Sequence, residues 1–262
     1  MTAVDMDAMD RPEILDVVFH PRPAAGPPDA RRDVAIPMPD GVALGGRLHP
    51  AADSAAPLIL FFHGNGEIAS DYDDIAPTYN QLGLAFLVVD YRGYGRSGGT
   101  PTVRTLLSDA RAVWAALPTL TAARGLAPTR TYVMGRSLGS ASALEIGSNA
   151  EAGLHGLIIE SGFAYAQDLI TRLGGPAFRK ADDGRVGLGH LDKIARITAP
   201  TLILHGEDDW IIPLRDAKAL HAASGAADKR LVTVPNAGHN DLLWVGAKPY
   251  FQAIRDFTGP AR

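Results

Sequence analysis

Six short apolar runs, separated by longer amphipathic stretches, limit the possible folds of this chain more than any other feature. They are residues 58–62 (LILFF), 85–89 (AFLVV), 131–134 (TYVM), 157–159 (LII), 201–204 (TLIL) and the shorter 231–234 (LVTV). Nearly unbroken apolarity predicts strands buried on both faces, as in a parallel sheet covered by helices on either side. Between the runs the spacing predicts helices near residues 69–82, 102–117, 140–149, 214–223 and 241–257. Strand, helix, strand in series gives an α/β fold with a mostly parallel central sheet. Two further strand-like pieces, 33–38 and 42–48, come first. The turn sequence Pro39-Asp40-Gly41 joins them into an antiparallel hairpin, with Pro37 marking the first as an edge.

At 262 residues the economical reading is one α/β domain over 32–262, preceded by a lead-in over 1–31. That lead-in is rich in Pro and Ala and is expected to be extended, with VVFHPRP touching the body. Residues 161–199 are too long for an ordinary connection and follow a sheet strand, where ligands bind in open α/β sheets. A small lid is expected there; a structureless surface loop is the alternative.

A formal charge of −4 gives no basic face for nucleic acid. The absence of cysteine excludes disulfides, thiolate metal sites and a cysteine nucleophile together. No run approaches the roughly 18–20 apolar residues of a membrane span, and the acidic start MTAVDMDAMD has no signal-peptide core. A cytoplasmic protein is the default expectation.

Ser137 follows one of the apolar runs, in Gly135-Arg136-Ser137-Leu138-Gly139. G-x-S-x-G on a strand-to-helix turn places a hydroxyl in the open, with the glycines relieving crowding and a helix N-terminus behind it. A serine needs a base, and the base needs a carboxylate to hold its tautomer. Both occur downstream in that order. Asp209 lies in His205-Gly206-Glu207-Asp208-Asp209-Trp210-Ile211-Ile212-Pro213, and His239 in Gly238-His239-Asn240-Asp241, each after a strand. All three therefore fall on one edge of the sheet. Asp208 is adjacent to the chosen acid and remains an alternative, as does Glu160 at the end of an earlier strand.

These motifs resemble the α/β-hydrolase superfamily from about residue 32 to 257. His63-Gly64-Asn65-Gly66 is similar to its H-G-N loop, and Asp90-Tyr91-Arg92-Gly93-Tyr94-Gly95-Arg96-Ser97 to its D-x-R-G-x-G-x-S turn. The segment His205–Pro213 and Gly238-His239-Asn240-Asp241 are most similar to the depalmitoylase-like branch of α/β-hydrolase-domain proteins. The resemblance implies the α/β-hydrolase fold and an oxyanion site made by the backbone N–H groups of Leu138 and Asn65, with Gly66 next in line. It implies a serine hydrolase of a carboxylic ester or acyl thioester, with no cofactor. That branch is tethered to membranes through cysteines, which this chain lacks, so a small-molecule substrate is expected rather than a membrane-bound acyl-protein. A non-catalytic ligand-binding relative, or cleavage of an amide or carbon–carbon bond, is the alternative.

Gly66, Glu67, Trp210 and Trp244 are candidates for touching substrate, by proximity in sequence to the oxyanion loop, the acid and the base. His63 and His205 precede glycines at strand ends and are read as loop braces. Gly93-Tyr94-Gly95-Arg96-Ser97-Gly98 matches a dinucleotide fingerprint only superficially, because Gly99-Thr100-Pro101 follows where a helix should begin. No cluster has metal-ligand spacing, so no metal is expected.

Overall fold

The computed structural model describes residues 5–150, 152–177 and 187–259. The apolar runs become strands β1 (Asp33–Pro37), β2 (Ala43–His49), β3 (Leu58–Phe62), β4 (Ala85–Val89), β5 (Thr131–Arg136), β6 (Leu154–Glu160), β7 (Thr201–Gly206) and β8 (Lys229–Val234). The helices are α1 (Met6–Met9), α2 (Pro12–Val18), α3 (Ala76–Gln81), α4 (Val103–Ala123), α5 (Gly139–Asn149), α6 (Ala166–Arg172), α7 (His190–Arg196), α8 (Leu214–Ala223) and α9 (Leu242–Thr258). The eight strands form one sheet in the order β1-β2-β4-β3-β5-β6-β7-β8. β2 runs antiparallel to β1 and to β4, and the pairs from β4 to β8 are parallel. This is the expected fold, with the N-terminal hairpin at one edge.

Alternation along each strand divides its side chains between two cores. Leu58, Leu60 and Phe62 of β3 pack on one face with α4, α5, α7 and α8, whereas Ile59 and Phe61 pack on the other with α3 and α9. All five are almost fully buried. Each such side chain contributes about 1.5–3 kcal/mol, so exposure on either face would be costly. Parallel strands buried twice over align their C-terminal ends, and those ends carry the candidate residues.

Proline accounts for the departures from the expected helices. The stretch 69–82 breaks into a 3₁₀ turn over Ala69–Tyr72 and then α3, because Pro77 is tolerated only in a helix's first turn. α9 bends where Pro249 follows Gly246, whose φ of −121° is not helical. α4 instead continues past Pro118 to Ala123, beyond the expected end at 117. Thr121 Oγ1 donates there to the Leu117 and Pro118 carbonyls.

The lead-in is not wholly extended. Asp5 caps α1 by accepting from the Ala8 N–H (3.0 Å), and Pro12 opens α2. Met9 and Ile14 are buried in the core beside α4 and α6. Of the segment 161–199 expected as a lid, residues 178–186 lie outside the described residues; its flanks form α6 and α7. No helix among the described residues is long and apolar enough to cross a membrane.

Candidate active site

β5 ends in a turn that only this pattern of glycines allows. A side chain at Gly135 would run into the Gly139 carbonyl, and one at Gly139 into the Phe62 carbonyl. Ser137 between them is held at φ +50°, a left-handed conformation that costs a non-glycine residue roughly 1–3 kcal/mol. Its N–H donates to the Glu160 carbonyl (2.9 Å), which ties the strained turn to β6.

His239 reaches the serine from the loop after β8. Its Nε2 stands 2.9 Å from Ser137 Oγ and its Nδ1 2.7 Å from Asp209 Oδ2. Asp209 is buried at the end of β7, and its Oδ1 accepts from the Ile211 (3.0 Å) and Ile212 (2.7 Å) N–H groups. Those two donors fix the carboxylate and leave Oδ2 for the imidazole. Asp208, by contrast, is exposed, its backbone N–H donating to the Ala237 carbonyl. Glu160 is also excluded as partner of the base. It accepts from the Tyr250 hydroxyl (2.7 Å) and pairs with Arg136 (3.2 Å).

The histidines read as braces are buried. His63 Nδ1 donates to the Gly64 carbonyl (2.8 Å) with Nε2 3.3 Å from Asp90. His205 Nε2 donates to the Ile212 carbonyl (2.7 Å), and burial depresses its pKa below the ordinary value, so it is neutral beside Asp209. His190 is likewise a core residue: it bonds the Phe163 carbonyl (2.7 Å), and burial pushes its pKa down to about 3.

Asn65 is pinned through its side chain. Its Oδ1 accepts from the His20 N–H (2.9 Å) and the Tyr94 hydroxyl (2.7 Å). The backbone N–H groups of Asn65 and Leu138 donate to no described protein group, and both residues line the cavity above Ser137.

The cavity is about 210 Å³ and mostly apolar. Val103 and Leu106 of α4, Phe163, Ile170 of α6 and Leu188 form part of its wall, and Met9 and Val18 of the N-terminal arm complete it. Its polar end is Asn65, Arg136, Ser137, His239 and Asn240; no carboxylate lines it among the described residues. The four residues expected near substrate are elsewhere. Trp210 and Trp244 point outward, 75% and 89% exposed. Gly66 and Glu67 do not line the cavity.

Glu67 is part of a network that the sequence did not reveal. Arg136, adjoining the serine, pairs with Glu67 and Glu160 and donates through Nη2 to the His239 carbonyl (3.0 Å) and Asn240 Oδ1 (3.2 Å). Glu67 Oε2 accepts from the Gly64 N–H (2.7 Å) and the Tyr72 hydroxyl (2.6 Å). One guanidinium thus joins the serine turn, the histidine loop and the H-G-N loop. Burial works against its charge, but Glu67 and Glu160 more than offset that and hold its pKa above the ordinary value. Glu160 is shifted upward by burial, which Arg136 and the Tyr250 hydroxyl oppose. Removing one member of such a buried network typically costs about 3–5 kcal/mol. A charged residue at the end of an apolar strand was the available signal, since a buried charge requires partners.

The family model described as "Serine aminopeptidase, S33" matches residues 53–182 and 185–243. The chain belongs to this family. The Mycobacterium tuberculosis protein Rv2307c is 33% identical over 246 residues, covering 90% of this chain and 84% of its own. Human alpha/beta hydrolase domain-containing protein 17B is 29% identical over 204 residues, 76% of this chain and 65% of that protein. Among solved structures, the Pyrococcus furiosus esterase Pf2001 is similar with a TM-score of 0.73 at 18% identity, over 92% of this chain and 100% of that one. Est1E from Butyrivibrio proteoclasticus, with ferulic acid bound, gives 0.68 at 23% identity, over 86% and 97%. These structures establish the α/β-hydrolase fold, and family membership supports hydrolysis as the class of reaction.

Proposed function

We propose that this chain is a serine hydrolase that cleaves carboxylic esters or acyl thioesters through an acyl-enzyme on Ser137. The observation that carries the reading is the relay Ser137–His239–Asp209, with contacts of 2.9 and 2.7 Å, opening into an apolar cavity. His239 Nε2 takes the Oγ proton as Oγ bonds to the substrate carbonyl carbon. Asp209 holds the Nδ1–H tautomer and stabilises the imidazolium. The carbonyl oxygen, now negative, accepts from the Leu138 and Asn65 N–H groups; losing one such donor costs about 3–4 kcal/mol. The C–O or C–S bond then breaks, and Nε2–H protonates the leaving alcohol or thiol. Water attacks the acyl-enzyme, with His239 again accepting a proton, and the acid departs.

The family is described as one of serine aminopeptidases, and an aminopeptidase substrate carries an ammonium group beside the scissile amide. Recognition of that charge needs a free carboxylate at the site. The carboxylates nearest Ser137 in the network, Glu67 and Glu160, are committed to Arg136 and tyrosine hydroxyls, and neither lines the cavity. Uncharged acyl groups fit better. The test is turnover of p-nitrophenyl esters and acyl thioesters alongside aminoacyl p-nitroanilides. Ester or thioester hydrolysis well above that of the anilides is expected; turnover of the anilides alone would overturn the choice of substrate.

A further inference from the structure

The cavity is closed on one side by a segment that precedes the sheet. Met9 of α1 and Val18 of α2 line it together with Leu106 and Ile170. That arm is fastened on both sides of these residues. The Arg104 N–H at the start of α4 donates to Asp10 Oδ1 (3.1 Å), and Arg104 also pairs with Asp7. Further along, Gly95 and the arm exchange backbone bonds, Ala24 N–H to Gly95 O and Gly95 N–H to Arg22 O, both 2.9 Å. His20 between them donates to Asn65, a residue of the proposed oxyanion site. The arm is therefore a fixed wall rather than a loose tail.

Volume then limits the occupant. An apolar cavity of about 150 Å³ holds one benzene, or roughly 25 Å³ per non-hydrogen atom. At 210 Å³ the space admits about eight such atoms. The acyl group is the one bonded to Ser137 between the two chemical steps, so it is the one that gains from an apolar site beside the serine. We propose that the N-terminal arm gauges acyl length, with Met9 and Val18 restricting the enzyme to neutral medium-length acyl groups of about six to eight carbons. This rests on the hydrolase reading above and names the substrate class of that same site.

The experiment measures kcat/KM for p-nitrophenyl esters from acetyl to palmitoyl on the wild type, Met9→Ala and Val18→Phe, with a thermal melt of each. Wild type should peak between hexanoyl and octanoyl and fall at least tenfold by dodecanoyl. Met9→Ala should move the peak two to three carbons longer, and Val18→Phe should move it shorter. If Met9→Ala does not fold, the half-buried Val18 carries the test. A wild-type profile that peaks at acetyl or palmitoyl would overturn the inference, as would folded variants whose peak does not move. In those cases esters are still turned over and the hydrolase reading stands. No turnover of any ester, with no labelling of Ser137 by a fluorophosphonate, would remove both.

Discussion

His239→Ala is expected to lower kcat for ester hydrolysis by roughly 10,000- to 1,000,000-fold. The imidazole is the group within 2.9 Å of Ser137 Oγ that can accept its proton and later return it to the leaving group. Without it the hydroxyl must ionise unaided. What survives is stabilisation by the Leu138 and Asn65 N–H groups and binding in the cavity, which leaves a residue of catalysis over water. Steady-state kinetics of the variant decides the point, and a loss below about tenfold would contradict the assignment.

Asp209→Asn is expected to lower kcat by roughly 10,000-fold, whereas Asp208→Asn should change it by no more than about twofold. An amide at 209 can still accept from the Ile211 and Ile212 N–H groups, so the loop keeps its shape. It no longer supplies negative charge 2.7 Å from His239 Nδ1, and its NH₂ can favour the wrong tautomer. Asp208 is exposed and directs nothing at the histidine. Parallel kinetics on the two variants measures the contrast. Equal losses would undo the choice of acid.

The sheet and the three relay residues were legible in the sequence for local reasons. Strands such as Leu58–Phe62 are buried on both faces, so their composition alone marks them. Gly135 and Gly139 are required by close backbone approach around Ser137, and that requirement is written in the motif. Asp209 was preferred by its spacing from Gly206 to Pro213, and the structure supplies the cause in the two backbone donors that follow it.

What was illegible depends on distant packing. α1 and α2 span four and seven residues, too short to be stable alone, and form because Met9 and Ile14 are buried against α4 and α6. A Pro- and Ala-rich segment gives no periodic signal of that. The cavity wall draws on α1, α2, α4 and α6, and no local pattern says which faces will meet. Trp210 and Trp244 illustrate the opposite error, since adjacency to Asp209 and nearness to His239 in sequence did not bring them to the cavity. Arg136 sits inside the best-read motif of the chain, yet its partners come from far apart in sequence: Glu67 and the His239 carbonyl from two separate loops and Glu160 from the end of β6.

Reaction with a fluorophosphonate probe, followed by mapping of the modified peptide, tests the central claim most directly. The phosphonyl group should be found on Ser137, at close to one per chain, and Ser137→Ala should abolish the reaction while leaving the melting temperature near that of the wild type. An adduct on any other side chain, or labelling that persists in Ser137→Ala, would contradict the account.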